Sequence, residues 1–109
     1  MLDKKIAVIG SGSWGTALVK LLANNVEKVG WWVRSEETKN HVLKHGRNPV
    51  YLQYAELVPE KLDICTNMST IIANYDLLIF AIPSAFLHKS IVDAGITNFD
   101  NKIIIPPIK

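Results

Sequence analysis

Six residues near the N-terminus, Gly10–Gly15, have the glycine spacing G-x-G-x-x-G. They follow the apolar run Ile6–Ile9 directly and precede apolar positions at helical spacing. In that setting the first glycine makes a tight turn, the second admits a pyrophosphate against bare backbone, and the third lets helix and strand pack closely. The alternative is a turn whose glycines provide backbone freedom alone. We predict that the turn Gly10-Ser11-Gly12-Ser13-Trp14-Gly15 binds the diphosphate of a dinucleotide, with the phosphates against Gly12 and the helix N-terminus.

The residue after the second predicted strand bears on which dinucleotide binds. An acid there bonds the adenosine ribose hydroxyls of NAD, whereas an arginine accommodates the 2′-phosphate of NADP. The residue is Arg34, and the hydroxyl of Ser35 lies beside it, which favours NADP. Glu36 and Glu37 weaken this preference, because both would repel phosphate and either could bond a ribose hydroxyl. Arg34 could alternatively be a solvated surface charge.

The remaining reactive side chains form no recognisable constellation. Cys65 is the single cysteine and lies in an apolar stretch, so we predict a core position and neither a disulfide nor a cysteine-based zinc site. The histidines His41, His45 and His88 are dispersed, and we expect surface or half-buried helix positions for them. We therefore predict no metal site and no catalytic residue within this chain.

The elements that position the glycine turn alternate between strand and helix. The sequence patterns predict strands over 6–9, 28–33, 62–65, 76–82 and 102–105, and helices over 13–24, 35–45, 67–73 and 84–93. The segment 47–59 has neither period and is predicted to be a long functional loop. Such alternation is typical of an α/β fold, a doubly wound parallel sheet of Rossmann-like type.

Composition limits the possible partners. The chain has 109 residues, is 49% hydrophobic and carries a formal charge of +2, which fits one dinucleotide-binding domain over residues 1–109. Its basic residues form no run, so nucleic acid is not an expected partner. No apolar stretch is long enough for a signal peptide or a membrane span, and we expect a cytoplasmic location. Because the chain ends just after the fifth strand, we expect it to be a fragment.

Three segments occur in a specific order, which is Ser13–Ala17, the loop Asn48–Leu52 and the segment Pro83–Phe86, and a lysine follows the fifth predicted strand. With these segments the chain resembles one family, the bacterial-type NAD(P)-dependent glycerol-3-phosphate dehydrogenases. The resemblance covers the whole chain.

The resemblance implies reduction of dihydroxyacetone phosphate, a small phosphorylated triose, to sn-glycerol 3-phosphate with NADP or NAD, and a role in phospholipid biosynthesis. It implies that Ser13 and Trp14 lie on the cofactor diphosphate, Arg34 near the adenosine ribose, and Phe86 along the cofactor. It further implies that Lys109 lies near nicotinamide and substrate. Trp14 could instead be partly core and Phe86 a core aromatic, and Lys109 could be an unpaired terminal residue.

Two departures from the family pattern affect the expected chemistry. Pro106-Pro107-Ile108 stands before Lys109 where the family has small residues. The family's helical C-terminal domain, with its general-base lysine, is absent from this chain. Two other functions therefore stay open, a stand-alone NAD(P)-sensing module and another two-domain reductase. We also expect the fragment to self-associate through apolar surface, including the strand Ile103–Ile105.

Overall fold

The computed structural model describes residues 5–96, 99 and 101–106 and contains one parallel sheet. The strands are β1 (Ile6–Ile9), β2 (Val29–Trp32), β3 (Leu62–Cys65), β4 (Leu77–Phe80) and β5 (Ile103–Ile105). Their order in the sheet is β3-β2-β1-β4-β5, and every neighbouring pair is parallel. The predicted α/β doubly wound fold is thereby confirmed.

Four α-helices connect the strands. They are α1 (Ser13–Ala23), α2 (Glu36–His45), α3 (Met68–Asn74) and α4 (Ser84–Asp93), each within about two residues of its prediction. The predicted loop 47–59 is irregular until Pro59, where a short 3₁₀ turn (Pro59–Lys61) leads into β3. Helix α2 ends at Gly46, whose φ of 69° is the left-handed conformation that glycine adopts without strain.

The two faces of the sheet are covered by different helices, because alternate side chains of each strand point in opposite directions. Val8 of β1 packs in one cluster with Val19 of α1 and Val42 of α2. Its neighbours Ala7 and Ile9 pack in the other cluster, where α3 supplies the side chains Met68, Ile71 and Ile72. All four residues of β1 are therefore buried, as the continuous apolar run predicts.

A tyrosine lies directly on the backbone of β2. A Cβ added at Gly30 would lie 2.5 Å from Cζ of Tyr75, so only glycine admits the ring there. The Tyr75 hydroxyl donates to Oδ2 of Asp63 at 2.6 Å. Burial, and then this hydrogen bond, raise the pKa of Tyr75 well above its usual range. The phenol therefore stays neutral and acts as a structural donor.

The edges of the sheet differ from its centre. Strand β5 is an outer strand, and Ile103, Ile104 and Ile105 are 49%, 38% and 44% exposed. Cys65, at the end of the opposite edge strand β3, is half-buried and hydrogen-bonded to the Asn67 backbone, so the prediction of a core cysteine is wrong in degree. No helix in the described part of the chain is long and apolar enough to cross a membrane.

Candidate functional site

The glycine turn lies where the strand order reverses. Strands β2 and β4 flank β1, and the chain leaves β1 towards one side of the sheet and β4 towards the other. Gly10 follows β1 and donates to the Trp32 carbonyl at 3.0 Å, while Ala81 follows β4 and donates to the Ile9 carbonyl at 2.8 Å. A crevice at the carboxyl ends of parallel strands, at such a reversal, is where open α/β sheets bind ligands.

Two of the three glycines are required by close packing. Gly10 has a φ of 131°, and a Cβ there would lie 2.9 Å from the carbonyl carbon of Ala81. A Cβ at Gly15 would overlap the carbonyl oxygen of Gly10. The same oxygen accepts a 2.7 Å hydrogen bond from the buried Nε1 of Trp31. These contacts hold the turn, β1 and α1 together without assigning a ligand.

Gly12 differs from both, because no atom lies within 4 Å of a Cβ built on it. It is the N-cap of α1, has no side chain to bond the helix end, and no acidic residue follows in the first turn. The first helical N–H with a carbonyl partner is that of Thr16, which donates to Gly12 at 2.9 Å. The N–H groups before it have no intrahelical acceptor. The turn thus combines open space with free donors, which fits a dinucleotide diphosphate.

Exposed aromatic side chains follow the turn and β4. Trp14, the second residue of α1, is 50% exposed, and Phe86, in the first turn of α4, is 60% exposed. The alternative interpretation of Phe86 as a core aromatic is therefore wrong, whereas half of the Trp14 side chain is covered, so its alternative as a partly core residue stays open. Ser13 is exposed and Ser11 is half-buried. A ligand can therefore reach the Ser13 side chain fully and the Ser11 side chain in part.

Arg34 is exposed two residues after β2, as an adenosine-side residue requires. Ser35 is engaged elsewhere: its Oγ accepts the Thr38 N–H at 3.2 Å and donates to the Thr38 hydroxyl. The idea that this hydroxyl assists a 2′-phosphate is therefore not supported by its bonding. Glu36 accepts a hydrogen bond from the Thr66 hydroxyl. Lys109 lies outside the described residues, and its role stays a prediction.

The structure adds one residue, Asn48, that the sequence does not predict as part of the site. The side chain of Asn48, in the long loop, is buried and contacts the turn from the side. Its Nδ2 donates to the Ser11 carbonyl at 2.9 Å and to the Thr16 hydroxyl at 3.0 Å. Its Oδ1 accepts the N–H groups of Val50 and Tyr51. A buried asparagine is unusual, but nothing local in the sequence shows that its partner lies 37 residues away.

Within residues 5–96, 99 and 101–106, no three histidine, cysteine or acidic side chains cluster as metal ligands would. His41 and His45 lie on successive turns of α2, with ring centroids 4.6 Å apart and the rings tilted by 48°, and His88 is exposed on α4. These positions agree with the expected surface or half-buried histidines.

Comparison with known proteins decides the family. The family model described as the NAD-dependent glycerol-3-phosphate dehydrogenase N-terminus matches residues 5–109. The chain belongs to this family. The family is described as NAD-dependent. The open space at Gly12 and the free N-terminus of α1 agree with this description, because a dinucleotide diphosphate needs both. The match also disfavours the hypothesis of an unrelated two-domain reductase.

Curated relatives are also named glycerol-3-phosphate dehydrogenases. The NAD(P)+ glycerol-3-phosphate dehydrogenase of Maridesulfovibrio salexigens is 35% identical over 89 residues, which are 82% of this chain and 27% of the relative. The enzyme of Pseudomonas syringae is 30% identical over 103 residues, covering 94% of this chain and 30% of the relative. The chain thus spans less than a third of the length of these glycerol-3-phosphate dehydrogenases.

Solved structures agree with the fold. The glycerol-3-phosphate dehydrogenase of Saccharomyces cerevisiae superposes with a TM-score of 0.82 at 25% identity, over 94% of this chain and 33% of that one. The enzyme of Coxiella burnetii superposes with a TM-score of 0.77 at 27% identity, over 93% and 31%. The sheet and helices of this chain are therefore those of the family's N-terminal domain.

Proposed function

We propose that residues 1–109 form the dinucleotide-binding domain of an NAD(P)-dependent glycerol-3-phosphate dehydrogenase. The observation that carries the proposal is Gly12, where open space meets the uncapped N-terminus of α1 at the strand reversal. An anion at that point gains the backbone donors and the positive end of the helix dipole. Family membership supports this interpretation over a turn that serves backbone freedom alone.

The proposed reaction interconverts dihydroxyacetone phosphate and sn-glycerol 3-phosphate. When bound, the dinucleotide supplies or accepts the hydride. The residues of this chain bind and orient: the Gly10–Gly15 turn at the diphosphate, Phe86 along the cofactor and Arg34 at the adenosine side. Lys109 is proposed to lie near nicotinamide and substrate. We assign no described residue as the proton donor to the alkoxide that forms on hydride transfer.

Cofactor choice and location form the finer part of the proposal. The exposed guanidinium of Arg34 supports binding of a 2′-phosphate and hence NADP, with NAD as the alternative. We further propose a cytoplasmic enzyme that contributes to phospholipid biosynthesis. The exposed apolar side chains of β5 support self-association of the 109-residue chain. Light scattering over a range of concentrations tests the last point, and a monomer throughout would contradict it.

The binding proposal is tested by Gly12→Val. Because a Cβ at Gly12 meets nothing within 4 Å, the variant should fold with an unchanged melting temperature. Its branched side chain should fill the space proposed for the diphosphate and abolish binding of NADPH and NADH in calorimetric titration. Ala73→Val, an exposed helical position on α3, is the matched control and should bind normally. Normal affinity in folded Gly12→Val would refute the proposed site.

Binding and turnover should separate in the 109-residue chain. A cofactor at a hundred times its dissociation constant should stabilise the fold by about 2.7 kcal/mol, seen as a higher melting temperature. Turnover also needs a proton donor and a clamp on the substrate phosphate, for which only Lys109 is proposed. We expect no oxidation of NADPH or NADH dependent on dihydroxyacetone phosphate above a protein-free control. Substrate-dependent oxidation would show that this chain alone suffices for catalysis.

A further inference from the structure

The long loop reaches the glycine turn through a single buried side chain, Asn48. Its amide orientation is determined by its neighbours, because the N–H groups of Val50 and Tyr51 point at one end, at 2.9 and 3.0 Å. Two donors require an acceptor, so that end is Oδ1. The other end is therefore the NH₂ group, which faces the Ser11 carbonyl and the Thr16 hydroxyl.

The Ser11 carbonyl consequently receives two donors from the protein side. Nδ2 of Asn48 lies 2.9 Å from its oxygen, and the Thr16 hydroxyl lies 3.4 Å from the same atom. Asn48 and Thr16 are both almost completely buried, so these donors hold the oxygen towards the interior. A carbonyl turned the other way would present a negative partial charge to an anion in the crevice.

The direction of this carbonyl sets the direction of the next N–H. The peptide bond between Ser11 and Gly12 is trans, and in a trans peptide the C=O and the following N–H point to opposite sides. With the Ser11 oxygen held inwards, the Gly12 N–H points away from Asn48. No acceptor among residues 5–96, 99 and 101–106 takes that N–H, and the Cβ position of Gly12 is open.

We propose that Asn48 is a positioning residue, which holds the Ser11 carbonyl inwards and thereby aims the Gly12 N–H at the phosphate oxygens of the dinucleotide. The inference rests on the proposed function for the identity of the ligand. It also explains why the loop 47–58 carries a buried asparagine: one side chain orders Val50 and Tyr51 on one side and the phosphate turn on the other.

The experiment follows the Gly12 amide by NMR and measures affinity by calorimetry. The 109-residue chain and its variants are titrated with NADH and, separately, with inorganic pyrophosphate. In the unaltered chain the Gly12 amide proton should shift downfield with either ligand. In Asn48→Ala this shift should be lost, and NADH should bind at least roughly tenfold more weakly, because a hydrogen bond to a charged group is misdirected.

Further variants grade the effect and control for folding. Thr16→Val removes the longer of the two donors and should cause a smaller loss of affinity, which Thr16→Ser should restore. Gln53→Ala removes a side chain of the same loop that donates to the Pro49 carbonyl and does not contact the turn. This control should keep the NADH affinity and the Gly12 shift.

The outcomes separate the two proposals. A folded Asn48→Ala with normal NADH affinity and a normal Gly12 shift would overturn the role of Asn48. If Asn48→Ala does not fold, Asn48→Asp decides, because it keeps an oxygen for the N–H groups of Val50 and Tyr51 and removes the Nδ2 donor. A normal Gly12 shift and normal NADH affinity in folded Asn48→Asp would overturn the role. In the unaltered chain, the Gly12 amide proton could shift with pyrophosphate while NADH does not bind. The dinucleotide proposal would then fail, and the pyrophosphate titrations of the variants would still test Asn48.

Discussion

Helices α1 and α2 both begin at the carboxyl ends of the strands, but their N-termini are capped differently. The N-cap of α2 is Ser35, whose hydroxyl accepts the Thr38 N–H, and Glu36 and Glu37 place negative charge in the first turn. The N-cap of α1 is Gly12, with no side-chain bond and no acid in the first turn. The helix that begins at the crevice thus leaves its donors free, whereas its neighbour uses them internally.

The remaining helices follow the same division. Helix α3, after the outer strand β3, is capped by the Asn67 side chain, which accepts the Thr70 N–H at 3.1 Å. Helix α4, after β4 at the strand reversal, has Pro83 as its N-cap and no side-chain bond. Helices that begin beside the crevice are therefore uncapped and those that begin away from it are capped. Side-chain caps stabilise a helix by bonding its first N–H groups. Where the caps are missing, beside the crevice, these N–H groups can bind a ligand instead.

After Gly12→Val, which should abolish binding, the largest expected effect comes from giving α1 a capped and negatively charged N-terminus like that of α2. Gly12→Asp places a capping carboxylate at a residue whose backbone, φ −74° and ψ −166°, already suits an N-cap. The free energy of unfolding should stay the same or rise by about a few tenths of a kcal/mol. NADH affinity should fall on the order of a hundredfold, because like charges meet at the diphosphate.

Calorimetry and thermal denaturation measure both quantities for Gly12→Asp. Gly12→Asn has nearly the same size without the charge and should lose less affinity. Equal losses in the two variants would show that space at Gly12 matters and that charge at the helix end does not.

A smaller effect is expected at Arg34, between β2 and the capped helix. Arg34→Ala should weaken NADPH roughly tenfold more than NADH, because only NADPH offers a 2′-phosphate and partial exposure reduces the strength of the pair. Arg47→Ala is the control, since the Arg47 guanidinium donates to the Gln53 carbonyl in the loop. Equal weakening of both cofactors in titrations of Arg34→Ala would mean that this residue does not distinguish them.

The smallest effect is expected from opening α2. Ser35→Ala removes the cap and should lower the free energy of unfolding by about 1 kcal/mol, measured by urea denaturation. Ser35→Asp retains an acceptor and should keep most of that stability. Ser35→Ala should leave the ratio of NADPH to NADH affinity unchanged, because the hydroxyl is bonded to Thr38. A changed ratio in Ser35→Ala would place the Ser35 hydroxyl at the cofactor.

Local patterns suffice for most of the fold and for the glycine turn. The apolar runs, the helical spacing after Trp14 and the stop at Gly46 predict the elements, because each depends on neighbouring residues. What the sequence does not show depends on distant partners. Gly30 is required by the ring of Tyr75, and Asn48 by the Ser11 carbonyl. The apolar neighbours of Cys65 predict a core position, whereas the side chain is half-buried and packs against the margin of the core from the last position of β3.

The indole bonded beneath the glycine turn has a practical consequence. Trp31 is completely buried and bonded to Gly10, whereas Trp14, in the first turn of α1, is half exposed. The third tryptophan, Trp32, is half-buried and donates to the Thr66 carbonyl. Reduced nicotinamide absorbs light where indoles emit, so an NADH molecule on the turn would quench tryptophan fluorescence by energy transfer. Acrylamide in solution would reach Trp14 and spare Trp31. The chain therefore carries its own optical probe of the turn, with one half-exposed indole, one half-buried indole and one in the core.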